Sequence, residues 1–141
     1  MSEIITNKLT GKTAAGNVTI TSEGGSATMQ LQQGVAKAWL NLNVETFGAR
    51  DSFNVTSTTD NGTGDSTMTF SSAMSNDDYA CSGLAAYPGS RLYVHGSEQS
   101  LSTPFATTAY RMVTSFVSGT NGEGTRDNPQ HDHRVIHGDL A

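Results

Sequence analysis

Short runs rich in Val, Thr, Tyr and Phe recur between clusters of Gly, Asn, Asp and Ser, and almost nothing along the chain has the period of a helix. That pattern predicts an all-β fold, an antiparallel β-sandwich of jelly-roll-like type. Its clearest element is a hairpin: Ser52-Phe53-Asn54-Val55-Thr56-Ser57, then Asp60-Asn61-Gly62-Thr63, then Ser66-Thr67-Met68-Thr69-Phe70. Asn61 and Gly62 supply the positive φ angles of a type I′ turn, which sets Val55 against Met68 and Phe53 against Phe70 on one face. A second strand, Val35 to Val44, alternates Ala36, Ala38, Leu40, Leu42 and Val44 with Lys37, Trp39, Asn41 and Asn43. The aliphatic side is the expected core, so Trp39 faces outward, to be covered by another sheet, a partner chain or a ligand.

Further strands are expected over Tyr79 to Tyr87, Arg91 to His95, Ala109 to Val117 and Arg134 to His137. In the third of these Tyr110, Met112, Thr114 and Phe116 oppose Arg111, Val113, Ser115 and Val117; in the second, Leu92 and Val94 oppose Arg91, Tyr93 and His95. Pro88-Gly89 reads as a turn, and Gly119 to Asp127 as a longer exposed loop. The first 34 residues contain no aromatic side chain, and their two weak β runs, Ile4 to Leu9 and Asn17 to Thr21, are separated by Gly11 to Gly16. Such a segment buries little by itself; it is either an arm that gains order on a partner, the reading favoured here, or a pair of edge strands. The expected division is therefore an arm over 1–34 and a β-sandwich domain over 35–141.

Composition narrows the partners. Eight Lys and Arg against thirteen Asp and Glu leave a net charge of -5, and the cations are scattered, so no phosphate footprint forms and nucleic acid is not an expected partner. No stretch approaches the ~18 apolar residues of a membrane span and no signal peptide is visible, which predicts maturation in a cytoplasm without membrane insertion. Cys81 is the single cysteine, so no internal disulfide is possible; its place in an alternating run makes it a small core or interface residue. Three Asn-x-Thr triplets, at Asn17, Asn54 and Asn61, carry little weight in a Thr-rich chain without a secretion signal.

Catalytic chemistry is hard to place. No G-x-S-x-G elbow and no P-loop occur, and Gly119-x-x-Gly122-x-Gly124 leads into polar loop, not into a helix. Asp77 and Asp78 are adjacent in a turn-like cluster and would diverge on a strand. The expectation is a protein that is not an enzyme, with no catalytic residues and no cofactor. His131 and His133, at i and i+2, share one face of an extended strand, and His137 has the same parity. Two imidazoles are too few for a closed metal site, but a three-fold axis would bring six, a set suited to iron, nickel, zinc or copper. The plainer reading is a solvated or interface strand. His95 carries no weight by itself.

A set of motifs points to a family. Gln32-Gln33-Gly34-Val35-Ala36-Lys37-Ala38-Trp39, Arg50-Asp51-Ser52-Phe53-Asn54-Val55-Thr56-Ser57 and Thr59-Asp60-Asn61-Gly62-Thr63-Gly64-Asp65 resemble phage structural proteins of tail-fibre type, common in phages of marine and freshwater bacteria including cyanobacteria. The resemblance continues through Ala73-Met74-Ser75-Asn76-Asp77-Asp78-Tyr79-Ala80 and Val135-Ile136-His137-Gly138-Asp139-Leu140-Ala141, covering most of the chain after residue 30. It implies a β-rich virion component, made in the host cytoplasm, with a variable N-terminal part that connects to the particle. The expected partners are the chain itself, as a homotrimer, other virion proteins through residues 1–34, and host-surface glycan through Trp39, Tyr87 and Tyr93, whose rings would stack on sugar faces. The alternative is a capsid decoration protein that stabilises the head and binds no ligand.

Overall fold

Two antiparallel sheets and a separate hairpin account for the strands of the computed structural model, which describes residues 4–12, 18–21, 25, 27–87, 93–96, 104–117 and 124–141. The chain divides at Val35 into two units. The first contains strands β1 (Thr19–Thr21) and β2 (Thr28–Gln30), paired antiparallel, and a one-turn helix α1 (Leu31–Gly34). Residues 4–12 form neither strand nor helix: the β run expected over Ile4 to Leu9 has no partner strand among the described residues, and Ile4 and Ile5 are each 86% exposed.

The second unit contains β3 (Ala38–Asn43), β4 (Gly48–Phe53), β5 (Val55–Gly62), β6 (Asp65–Phe70), β7 (Ala80–Ala86), β8 (Tyr93–Gly96), β9 (Phe105–Ala106), β10 (Ala109–Val117), β11 (Gly124–Arg126) and β12 (His131–His137). One sheet has the order β4-β3-β12-β7, the other β11-β10-β6-β5, with β8 and β9 also paired to β10. Period-two alternation decides which side chains meet between the sheets. From β3 these are Ala38, Leu40 and Leu42, from β12 Ile136, from β6 Met68 and Phe70, and from β10 Tyr110 and Met112, all at or below 5% exposure. Tyr79 closes one end of this core edge-on to Phe70 and Tyr110, at 5.8 and 6.3 Å between ring centroids. Its hydroxyl donates to the carbonyl of Ala109 at 3.1 Å, and burial pushes the phenol up to about 12. Among the described residues no helix is long and apolar enough to cross a membrane.

The aliphatic side of the 35–44 run is core, as its alternation predicts, and Trp39 faces outward. Lys37 departs from the pattern. It is 4% exposed at the entry to β3, its N–H donates to the Ile136 carbonyl at 2.8 Å, and its own carbonyl accepts from Asn54 Nδ2 at 3.0 Å.

The hairpin register differs from the expected one. Val55 pairs with Phe70 and Thr58 with Met68, with irregularities between Val55 and Ser57 and between Asp60 and Gly62. The turn lies at Thr63-Gly64, where Gly64 takes φ +65, and a Cβ there would collide with the Thr114 carbonyl and the Asp127 backbone. Asn61 instead remains in the strand, its amide donating to Thr67 Oγ1 at 2.8 Å. Phe53 belongs to the other sheet, opposite Trp39. The cause is Asn54, held at φ 56, whose side chain donates to the Lys37 and Ser72 carbonyls and accepts from the Ser72 N–H. One residue turns the corner between sheets, so a run that reads as continuous is two strands.

In β8 Tyr93 and His95 point inward, His95 standing opposite Thr114, whereas Val94 is 45% exposed. Other expectations need correction. Of the two places expected for Cys81, core or interface, the core is ruled out: the residue is exposed on the edge strand β7. The last strand begins at His131, not Arg134, and is central in its sheet. β11 occupies the end of the stretch expected to be exposed loop. Pro88-Gly89, Arg91, Leu92, Gly119 and Gly122 lie outside the described residues.

Candidate functional site

Register across the four-stranded sheet arranges its outer face in rows. Phe53, Trp39, Val135 and Ser82 form one; Asp51, Asn41, His133 and Leu84 form the next. The first is an apolar stripe with Phe53 52% exposed, and Leu84, at 66%, extends the apolar surface into the second. Cross-strand neighbours on one face pack at ~5 Å between Cβ atoms, so Phe53, Trp39 and Val135 support one another while keeping a side in water.

His131 and His133 stand on this face, their rings parallel within 2° and 6.1 Å apart. Arg50 reaches across from β4, donating to the Gln130 carbonyl at 2.6 Å, with the same Nη1 3.4 Å from His131 Nδ1. A guanidinium against that nitrogen opposes a metal cation there. His137 pairs with Ala80 at the far end of the strand. Among the described residues no group of three or more His, Cys, Asp or Glu is placed to hold a metal ion.

The three rings expected to make a sugar platform stand on separate elements. Trp39 is on β3; Tyr87 follows β7 and its hydroxyl donates to Glu45 Oε1 at 3.4 Å. Tyr93 does not present its ring to solvent: it is 8% exposed, packs on Phe116, and donates from its hydroxyl to Asp127 Oδ2 at 2.6 Å.

Behind the outer face, the inward side of β12 carries charge. Asp132 and Arg134, at 0 and 1% exposure, form an ion pair two residues apart, with Arg134 Nη2 2.5 Å from Asp132 Oδ2. Arg134 also donates to the carbonyl and hydroxyl of Ser66, so the guanidinium ties the two sheets together. His95 comes from the opposite sheet, its Nε2 3.6 Å from Asp132 Oδ1, and neither ring nitrogen is hydrogen-bonded. Burial pushes the His95 pKa down; Asp132 opposes that shift, but its carboxylate is already engaged by Arg134. The imidazole rests on Gly83, where a Cβ would collide with it and with the His133 carbonyl.

A cleft of about 350 Å³ runs beside His95, with Cys81 and Gly83 of β7 on one side and Phe105, Tyr110 and Met112 on the other. The Cys81 thiol donates to the Tyr110 hydroxyl at 3.2 Å, and burial raises that phenol above its usual range. The charged groups that act on His95 are Asp132, Arg134 and His133.

The sequence reading did not find His95, Asp132 or Arg134. One signal was present: if His131 and His133 face out from a strand, Asp132, Arg134 and Ile136 face in. Comparison with family models, with curated proteins and with solved structures returns no match for this chain.

Proposed function

We propose that the chain is a phage virion structural protein, a tail fibre or tail appendage, that works as a homotrimer. It fixes to other virion proteins through residues 1–34 and turns its β-sandwich toward host-surface glycan. The observation that carries the reading is the outer face of the four-stranded sheet. A sandwich with a complete interior still keeps Phe53, Trp39, Val135 and Leu84 together on its surface, and contiguous apolar surface of this kind marks contact with another molecule. The division of the chain at Val35 fits a separate attachment unit, and the resemblance of its motifs to tail-fibre-type proteins is what suggests the particle.

Light scattering on the purified protein tests the assembly, with an expected mass three times 14.8 kDa. A stable monomer overturns it. Quantitative mass spectrometry of purified particles tests the place: a few trimers per particle agree with a tail structure, while a copy number large enough to coat the head replaces it with capsid decoration.

A further inference from the structure

The free edge of β7 is unusually open. Its seven residues pair with β12 without a register shift, and among the described residues no backbone group of Ala80–Ala86 bonds to anything else. Exposed edges are ordinarily blunted by charge, proline, a bulge or shortness, because an open row of N–H and C=O groups is a template for another strand. The other long edges follow that rule. β4 carries Arg50 and Asp51 and a register irregularity, and β5 is irregular near both ends and carries Asp60. β7, Ala-Cys-Ser-Gly-Leu-Ala-Ala, has no charge, no proline and no bulge, and the cleft lined by Phe105, Tyr110 and Met112, with His95 beside them, lies along it.

We propose that a second copy of this chain supplies the missing strand, residues 4–12 adding antiparallel to the free edge of β7 with an aliphatic side chain entering the cleft. The inference rests on the homotrimer reading above and names its joint. Residues 4–12 have what the edge lacks. Ile4, Ile5 and Leu9 are 86, 86 and 54% exposed, Ile and Thr favour extended backbone, and the hydrogen bonding of the segment is a local Thr6 to Lys8 contact. Charge sets the direction. Lys8 and Lys12 lie toward the C-terminal end of the segment, and the exposed pair Asp77 and Asp78 precedes β7, so an antiparallel strand brings the cations to the acids. The hairpin of β1 and β2 is left for the particle.

Cys81, the single cysteine, lies in β7 and makes the test direct. Ile4→Cys, Ile5→Cys, Thr6→Cys, Asn7→Cys, Lys8→Cys and Leu9→Cys are made one at a time in the full chain, oxidised mildly, and run without reductant beside the wild type. Because a disulfide requires Cα atoms within about 7 Å and strand residues alternate faces, the expected result is an interchain link from the new cysteine to Cys81 at one or two positions of one parity. At the other parity the link should be several-fold weaker. No interchain link above wild type, a link without alternation, or a link within one chain overturns the proposal. Light scattering on the wild type separates the causes: a trimer without links removes this joint and leaves the assembly, whereas a monomer removes both.

Discussion

Two carboxylate and arginine clusters lie on opposite sides of the six-stranded sheet, and they are built on different terms. Inside, Asp132 and Arg134 are both out of water, at 0 and 1% side-chain exposure. Outside, Asp65 is as deeply covered, at 2%, but its cations Arg111 and Arg126 keep 37 and 34% of their side-chain surface in water. In the first cluster both ions have lost hydration and depend on each other. In the second, the acid is lidded by cations that keep much of theirs. A contact list would rank the two alike; desolvation separates them.

The comparison breaks first at Arg134. Arg134→Met leaves Asp132 buried and uncompensated, which should cost about 3–5 kcal/mol of unfolding free energy by chemical denaturation. Asp132→Leu combined with Arg134→Met should recover most of it, since an apolar pair of similar volume has no charge to desolvate. A single substitution that costs under ~1 kcal/mol means water reaches the cluster, and the contrast with Asp65 is lost. Arg111→Gln should cost less, about 1 kcal/mol, because the lid keeps over a third of the Arg111 side chain in solvent and Asp65 keeps Arg126 and the Asn61 amide at 3.3 Å each.

Acid should separate the two sides again. His95 is disfavoured from protonation in the fold, mainly by burial, so the unfolded chain binds the proton more readily. Stability is then level above about pH 6.5 and falls as pH drops from there toward the lowered folded value. Asp65 is held below its ordinary 3.8 first by the Arg111 hydrogen bond, so its contribution is present above 3.8 and is lost only as pH falls through its folded value. Unfolding free energies measured from pH 8 to 3 should show the upper loss disappear in His95→Phe and the lower one in Asp65→Asn. A wild-type curve with no slope between pH 6.5 and 5 contradicts the burial argument for His95.

What was legible in the sequence follows the same physics. Period-two alternation gave β3 its core side and β10 its two faces, because burial of aliphatic side chains repeats along a strand and leaves a written pattern. The hairpin register was not legible. Asn61-Gly62 and Thr63-Gly64 are both turn-competent, and choosing between them depends on Asp127 and Thr114, whose backbones crowd Gly64 from distant parts of the chain. Asn54 was missed for a related reason: a corner between sheets is one residue at φ 56, invisible where the flanking residues all favour strand. Trp39 was legible as outward-facing, while its neighbours Phe53 and Val135 come from pairings that composition does not record. The inner cluster was hidden by the histidines beside it. His131 and His133 drew the chemistry to one face of β12, and the alternation that put them there also put Asp132 and Arg134 inside.

The smallest effect on stability belongs to the outer face of the four-stranded sheet, where the contrast with the interior is sharpest. Trp39→Ser removes a ring that is partly in water, supported by Phe53 and Val135 and clear of the core cluster. Its cost should stay near or below ~1 kcal/mol, the range of a substitution that leaves no buried group unpartnered. The same change should act strongly on ligand contact, because aromatic rings concentrate the contact energy of a surface. Binding of the Trp39→Ser chain to a glycan array should therefore fall several-fold against the wild type, with the mass by light scattering unchanged and the two unfolding curves nearly superimposed. If the unfolding curve shifts as far as it does for Arg134→Met while glycan binding is unchanged, Trp39 is part of the fold and not of a contact face.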